Sequence, residues 1–139
     1  MKKLGDVSPL VEERNGELLA AFHRAAMSVD CLSLADVVTR AVNSPCSRFW
    51  VSEKRAGLVV AAMLRGEVVN VCGEKREMYL EIKRRVAECL RDPMEKRTLG
   101  RIVRDVVCGG APKFYLSESM ARQVLDEMRR ACVLGRRNY

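Results

Sequence analysis

The sequence is poor in the residues and segments on which several classes of protein depend. Aromatic residues make up only 5% of its 139 residues, and there is a single histidine. The longest apolar stretch, Leu58 to Leu64, is far shorter than the roughly 20 residues that a membrane span needs. No apolar segment follows Lys2 and Lys3. We therefore predict neither a secretory signal nor a membrane partner.

Six cysteines are present, but their spacing does not fit a structural zinc site. No pair has the C-x-x-C spacing, and His23 has no cysteine or histidine within four residues. Without a secretory signal, we do not interpret the even count as a set of disulfides. Cys31 and Cys89 have apolar helical neighbours and are interpreted as small buried hydrophobes. We predict no metal site and a reducing, cytoplasmic location. Disulfides and a zinc site assembled from distant cysteines are the alternatives.

The sequence also lacks the motifs of common enzymes. It contains neither G-x-x-x-x-G-K-[ST] nor G-x-G-x-x-G. His23 lies inside a helical stretch, where a lone histidine is typical of the surface rather than of a general base. Gly109 and Gly110 follow an apolar run, and the end of a helix explains them better than a phosphate-binding turn. We predict no catalytic residue, no cofactor and no enzymatic activity.

The main positive signal is an internal repeat with an offset of 65 residues. Leu34 to Arg65 aligns without a gap with Leu99 to Arg130, and ten of the 32 positions are identical. Only about two or three identities are expected at average residue usage. The matches concentrate at apolar positions and at one short motif. We therefore predict that the chain contains a duplication.

The repeat divides the chain into two units, at about residues 13–65 and 74–130. A linker at 66–73 joins them, and residues 1–12 and 131–139 are terminal segments. Because the linker contains three valines, we expect it to pack against the core; they are Val68, Val69 and Val71. The two units are predicted to pack as a single domain.

Each unit is predicted to contain three helices, which makes the fold class all-α with two pseudo-repeated three-helix units. The first helices are predicted at Asn15 to Ser28 and at Glu74 to Arg91. The second and third helices carry apolar residues at helical spacing, which indicates one buried face. In the first unit these stripes are Leu34, Val37, Val38, Ala41 and Val42, then Ala56, Val59, Val60 and Met63.

Hydroxyl residues precede the second and third helices of both units. Ser33 and Thr98 precede the second helices, and Ser52 and Ser117 precede the third. At the N-cap position a hydroxyl oxygen accepts a hydrogen bond from a backbone N–H that has no partner within the helix. These four residues are therefore predicted N-caps.

A short aromatic motif joins the second and third helices of each unit. It reads Arg48-Phe49-Trp50-Val51-Ser52 in the first and Lys113-Phe114-Tyr115-Leu116-Ser117 in the second. Aromatic and branched residues favour extended backbone. We predict that residues 48–51 and 113–116 form a short two-stranded ribbon. The aromatic rings either anchor the repeats together or stack on nucleic-acid bases.

This duplicated motif, with a proline-containing stretch before it and an alanine-containing helix after it, resembles a family of small uncharacterised proteins of gut bacteria and their mobile elements. The resemblance covers roughly residues 14–130 and implies a bacterial or phage setting without an assigned activity. Three short helices with a capped last helix also resemble a helix-turn-helix unit, whose last helix enters the DNA major groove. The stretch from Asn43 to Val51 is longer than the turn of about three or four residues in that family.

Positive charge indicates a partner. The net charge is +7, and residues 66–139 contribute 16 basic against 11 acidic residues, whereas residues 1–65 contribute 9 against 7. Clustered cations release counterions from phosphates, and the arginine fork suits phosphates and guanine edges. We predict nucleic-acid binding, to DNA in preference to RNA. The candidate contacts are Arg48, Lys54, Arg55, Arg84, Arg101, Arg104, Lys113, Arg129 and Arg130.

A non-enzymatic interaction or structural module is the alternative function, with a homodimer or another protein as partner. Lysine and arginine face water on any amphipathic helix, and Arg84 has Glu81 and Glu88 at the spacing of ion pairs within a helix. Cations gathered on one face favour nucleic acid. Cations on all faces favour the alternative.

Overall fold

The computed structural model describes residues 8–28 and 33–137, with side chains up to residue 131. These residues form an all-helical fold, which confirms the predicted class. Cys31, the side chain of Cys132 and the ends of the terminal segments, 1–7 and 138–139, lie outside the described residues. The helices are α1 (Pro9–Ala26), α2 (Leu34–Val42), α3 (Glu53–Leu64), α4 (Gly73–Leu90), α5 (Leu99–Val107) and α6 (Glu118–Arg137).

Five of these helices begin after a hydroxyl N-cap. In each, the side-chain oxygen accepts a hydrogen bond from the backbone N–H three residues further on, which confirms the four predicted caps; the five are Ser8, Ser33, Ser52, Thr98 and Ser117. The cap at Ser8 was not predicted. Because Pro9 follows it and suits the first helical position, α1 begins earlier than the predicted Asn15.

The chain folds into two compact units that do not follow the order of the predicted repeats. Unit 1 consists of the residues up to Ser44 and those from Leu116 onward, and it contains α1, α2 and α6. Unit 2 runs from Pro45 to Tyr115 and contains α3, α4 and α5. Each unit therefore combines the first two helices of one repeat with the third helix of the other.

In unit 1 the three helices pack through small and branched apolar side chains. The buried residues are Leu18, Ala21 and Ala25 of α1, Val37, Val38, Ala41 and Val42 of α2, and Ala121, Val124 and Leu125 of α6. At the start of α6, the hydroxyl of Thr39 donates a hydrogen bond to Glu118 Oε1 at 2.9 Å. This polar contact fixes the amino end of α6 beside α2.

In unit 2 the core is built around the aromatic motif and the apolar stripes of three helices. Its fully buried side chains include Phe49, Val60, Ile82, Val86, Ile102, Val103 and Val107. The three valines of the linker differ in their burial. Val69 and Val71 pack against this core as predicted, but Val68 is fully exposed. None of the helices in the described ranges is long and apolar enough to cross a bilayer.

The predicted ribbon is replaced by a single antiparallel bridge. Cys46 and Ala111 exchange two backbone hydrogen bonds, each with an N···O distance of 3.0 Å. Residues 48–51 and 113–116, where we expected the ribbon, form no strand.

Other partners occupy the backbone groups that a ribbon would need. The N–H of Phe49 donates to the carbonyl of Val107 at 2.9 Å. The guanidinium of Arg48 donates to the carbonyls of Phe49 and Val51 at 3.1 and 2.9 Å. Tyr115 adopts a positive φ of 56°, which is far from a strand. Because these donors and acceptors already have partners, they do not extend the bridge into a ladder.

Candidate nucleic-acid interface

The first turn of α3 presents two cations to solvent. The helix starts at Glu53 because Ser52 Oγ accepts a hydrogen bond from the N–H of Arg55 at 3.1 Å. Lys54 and Arg55 are both exposed, and neither forms an ion pair with a described residue. The amino end of a helix also carries a partial positive charge. Both side chains and backbone therefore favour an anion here.

Helix α5 presents a second pair of cations. Its apolar face, with Ile102, Val103 and Val107, is buried in the core of unit 2. Arg101 and Arg104 are three residues apart on the exposed side, so they lie one turn from each other. The sequence pattern of α5 thus separates apolar from cationic residues.

The start of α3 and the exposed side of α5 meet at Glu53. Its Oε1 lies 3.8 Å from Arg104 Nε and 3.9 Å from the Cys108 sulfur. The fold therefore brings four predicted contacts to one region of unit 2, and we call this group the cationic patch: Lys54, Arg55, Arg101 and Arg104. Glu53 is the one acidic residue of the described chain that contacts a member of the patch.

Three other predicted contacts lie in unit 2 but have internal partners. Arg48 donates to backbone carbonyls, as described above. Arg84 forms ion pairs with Glu81 at 2.8 Å and with Glu88 at 3.3 Å along α4. Lys113 lies 3.2 Å from Glu77. The charges of these residues are compensated within the protein, so they are weaker candidates for phosphate contacts.

The α4 ion pairs also change the titration of their members. The hydrogen bond from Arg84, with a further one from Arg85, lowers the pKa of Glu81 to about 2 against partial burial. Burial acts to lower the pKa of Lys113, but the hydrogen bond to Glu77 and the charges of Glu74 and Glu77 outweigh it and raise that pKa. Both groups are therefore firmly charged near neutral pH.

The remaining predicted contacts, Arg129 and Arg130, belong to α6 of unit 1. Both are exposed, and neither has an ion pair among the described residues. Arg130 lies in a shallow groove along α6 that also contains Asp126 and Glu127. Acidic residues next to Arg130 reduce its attraction for phosphates.

The aromatic rings of the motif are paired with each other. Phe49 stacks on Tyr115 with a centroid distance of 5.9 Å, and Trp50 stacks on Phe114 at 6.5 Å. Phe49, Phe114 and Tyr115 are buried. The hypothesis that these three rings stack on bases is therefore wrong, because none of them is exposed to a partner. Trp50 is partly exposed.

Sequence reasoning missed one cation near the patch. Lys75, in the first turn of α4, lines a cleft together with Arg55. The available signal was its position directly after Glu74, the predicted start of that helix. Nothing in the spacing of α3 and α4 along the chain indicated that their amino ends share a cleft, since tertiary packing alone brings them together.

Within the described side chains, no group of three or more His, Cys, Asp or Glu residues is placed to hold a metal ion. His23 is exposed on α1. Comparisons with protein-family models, with curated proteins and with solved structures find no match to this chain. The functional interpretation therefore depends on the geometry and charge of the chain itself.

Proposed function

We propose that the chain binds nucleic acid, DNA in preference to RNA, through the cationic patch of unit 2. The observation that carries this proposal is the contact between Arg104 of α5 and Glu53 at the start of α3, which brings together two helices that each present exposed cations. Three of these cations, Lys54, Arg55 and Arg101, have no acidic partner among the described residues. A surface of this kind gains affinity by releasing counterions from phosphates.

The contacts in this proposal are made with the phosphate backbone. Arginine forks bind phosphate oxygens in pairs, and the amino end of α3 adds backbone dipoles. Helix-turn-helix docking does not describe this surface, because α2 and α3 are separated by residues 43–52 and belong to different compact units. Binding is therefore expected to depend strongly on salt and weakly on base sequence.

The test is a titration of the protein into labelled random duplex DNA, single-stranded DNA and RNA at low and physiological salt. A variant with Lys54→Gln, Arg101→Gln and Arg104→Gln should lose about 2 to 3 units from the slope of log affinity against log salt on duplex DNA. Each phosphate contact contributes roughly 0.9 to that slope.

The matched control removes three cations of α4 and its C-cap that have no acidic partner in the described chain: Arg76, Lys83 and Arg91, each replaced by glutamine. This control changes the net charge equally, so its slope separates a local patch from a general effect of charge. Equal losses in both variants contradict the patch. Absence of binding at low salt to all three nucleic acids contradicts the function and favours the interaction module.

We also propose that the chain arose by duplication of a three-helix unit. Two features support this origin: α2 and α5 have bounds related by 65 residues, and so do the starts of α3 and α6. The residues that end α2 and α5, Asn43 and Cys108, have nearly the same dihedral angles, with φ of −93° and −89°.

The contacts between the two motifs give further support. The bridge joins Cys46 to Ala111, which is its equivalent 65 residues further on. Phe49 stacks on Tyr115, and Trp50 stacks on Phe114, so each residue contacts the equivalent of its neighbour. Such exchanged contacts are what a local two-fold axis produces.

The thiols of Cys72, Cys89 and Cys108 are outside any disulfide, in keeping with a proposed cytoplasmic location.

A further inference from the structure

A cleft of about 450 Å³ opens between the amino ends of α3 and α4 in unit 2. Its polar and charged lining comes from Ser52, Arg55, Asn70, Cys72 and Lys75, and its apolar wall includes Trp50 and Met78. The volume lies within the range of about 300 to 1,000 Å³ that small-ligand sites occupy. The cleft is therefore large enough for a ligand much smaller than a nucleic-acid duplex.

The charge of the cleft selects an anion. Arg55 and Lys75 are its only charged lining residues, and no carboxylate lines it. Neither cation forms an ion pair with any described residue. Elsewhere in unit 2, by contrast, Arg84, Arg97 and Lys113 each have two acidic partners. Two uncompensated cations facing one cleft favour a ligand with a doubly charged group.

Backbone hydrogen-bond donors at the cleft also lack a side-chain acceptor. Cys72 occupies the N-cap of α4 without accepting a side-chain hydrogen bond. The first N–H groups of α4 are therefore not capped by a side chain. The N–H groups of α4 and the two cations of the cleft therefore both favour a ligand with acceptor oxygens.

We propose that this cleft binds a nucleoside phosphate, with the phosphate at Arg55, Lys75 and the amino end of α4. The base and sugar occupy the side lined by Trp50 and Met78, which form an apolar wall. Two sources supply this chemistry, a free mononucleotide and the 5′-phosphorylated end of a single strand. The site goes beyond the proposed duplex-binding patch, although Arg55 belongs to both.

The single tryptophan of the chain makes this cleft directly observable. Trp50 is the only tryptophan and lines the cleft, so tryptophan fluorescence comes from this one position. The ligands are adenosine monophosphate, ribose 5-phosphate, inorganic phosphate, adenosine and a 5′-phosphorylated dinucleotide, each also titrated by calorimetry. We expect adenosine monophosphate to bind more tightly than the other mononucleotide fragments. Binding of the dinucleotide more tightly than the monophosphate identifies a strand end as the source, and weaker binding identifies the free nucleotide.

Variants of the lining cation test the assignment. Lys75→Gln should weaken binding of adenosine monophosphate by about tenfold or more, as expected for loss of a hydrogen bond to a charged group. Arg76→Gln is the matched control, because Arg76 is the next residue of α4, is exposed and does not line the cleft. Circular dichroism checks that both variants keep their helices.

Three results would overturn the proposal: no binding of adenosine monophosphate, equal binding of adenosine and its monophosphate, or equal losses in Lys75→Gln and Arg76→Gln. The patch variant that lacks Lys54, Arg101 and Arg104 should keep its affinity for the mononucleotide. Lys75→Gln should keep the salt slope on duplex DNA. The cleft and the duplex-binding patch can therefore fail independently.

Discussion

The two aromatic motifs occupy equivalent places in the repeat, yet their cations act differently. Arg48 turns back onto its own segment and donates to the carbonyls of Phe49 and Val51. Lys113 instead reaches α4, where it pairs with Glu77, and its ammonium lies 5.3 Å from the centre of the Tyr115 ring. The difference is in keeping with the chemistry of the two groups, because a guanidinium holds its donors in a rigid planar fork, whereas an ammonium is a compact charge at the end of a flexible chain.

The two motifs are alike, however, in that each buries its phenylalanine ring. Phe49 and Phe114 are equivalent residues, and both are almost completely removed from solvent. Arg85 of α4 links the two segments, since its guanidinium lies 5.0 Å from the Phe49 ring centre and donates to the carbonyl of Gly110 at 2.8 Å. The two motifs therefore share their buried rings, whereas the polar groups around the rings differ.

The largest effect is expected from removing the buried rings. Phe49→Ala and Phe114→Ala should each lower the free energy of unfolding by about 3 to 5 kcal/mol, because each leaves a cavity and loses a stacked ring. Denaturation with urea, followed by circular dichroism, measures both. Phe22→Ala on α1 is the control and should cost less, since Phe22 is only partly buried. A small effect at one of the two motif positions would break the equivalence of the motifs.

A smaller effect, and a clear asymmetry, is expected from the cations. Arg48→Met should lower the free energy of unfolding by about 2 kcal/mol, because two charge-assisted hydrogen bonds to partly buried carbonyls are lost. Lys113→Met should cost about 1 kcal/mol or less, since its ion pairs are partly exposed. Arg48→Lys should not restore stability. Equal costs at the two positions would show that the cations are interchangeable.

The smallest effect is expected in the pH dependence of stability, through the ion pairs that Glu81 forms with Arg84 and Arg85. Glu81 has a pKa of about 2 in the folded protein, below its value of about 4.5 in the unfolded chain, so its ion pairs with Arg84 and Arg85 contribute stability above that unfolded value. The contribution falls as the pH drops from about 4.5 toward 2. The difference between the denaturation midpoints at about pH 6 and pH 3 should therefore be smaller in Glu81→Gln than in Glu88→Gln. The side chain of Glu88 is 66% exposed, so its ion pair contributes less. The same pH dependence in both variants would argue against a role for Glu81.

Much of the helical structure was predictable because its causes are local. The apolar stripes of α2 and α5 and the hydroxyl caps at Ser33, Ser52 and Thr98 depend on residues three or four positions apart. The predicted start of α4 at Glu74 differs from the observed start by one residue. The start of α1 was missed because the Ser8–Pro9 signal precedes the aligned repeat.

The candidate site was predictable only in part. Lys54, Arg55, Arg101 and Arg104 were recognised as surface cations from their places on amphipathic helices. The contact between Arg104 and Glu53 could not be predicted in this way, and neither could the internal partners of Arg48 and Lys113. Side-chain charge is visible in a sequence, but whether an acid or a carbonyl lies within reach depends on distant segments.

The sequence by itself determined the all-α class, the caps and the buried faces of the helices, because helix formation is governed by local spacing and backbone hydrogen bonding. The tertiary structure alone decided that α3 packs with α4 and α5, and α6 with α1 and α2. It also decided that one bridge, rather than a ribbon, joins the motifs. Equivalent helices carry similar apolar stripes, so the stripes do not specify which copy packs with which. Only the fit of whole side chains in three dimensions makes that choice.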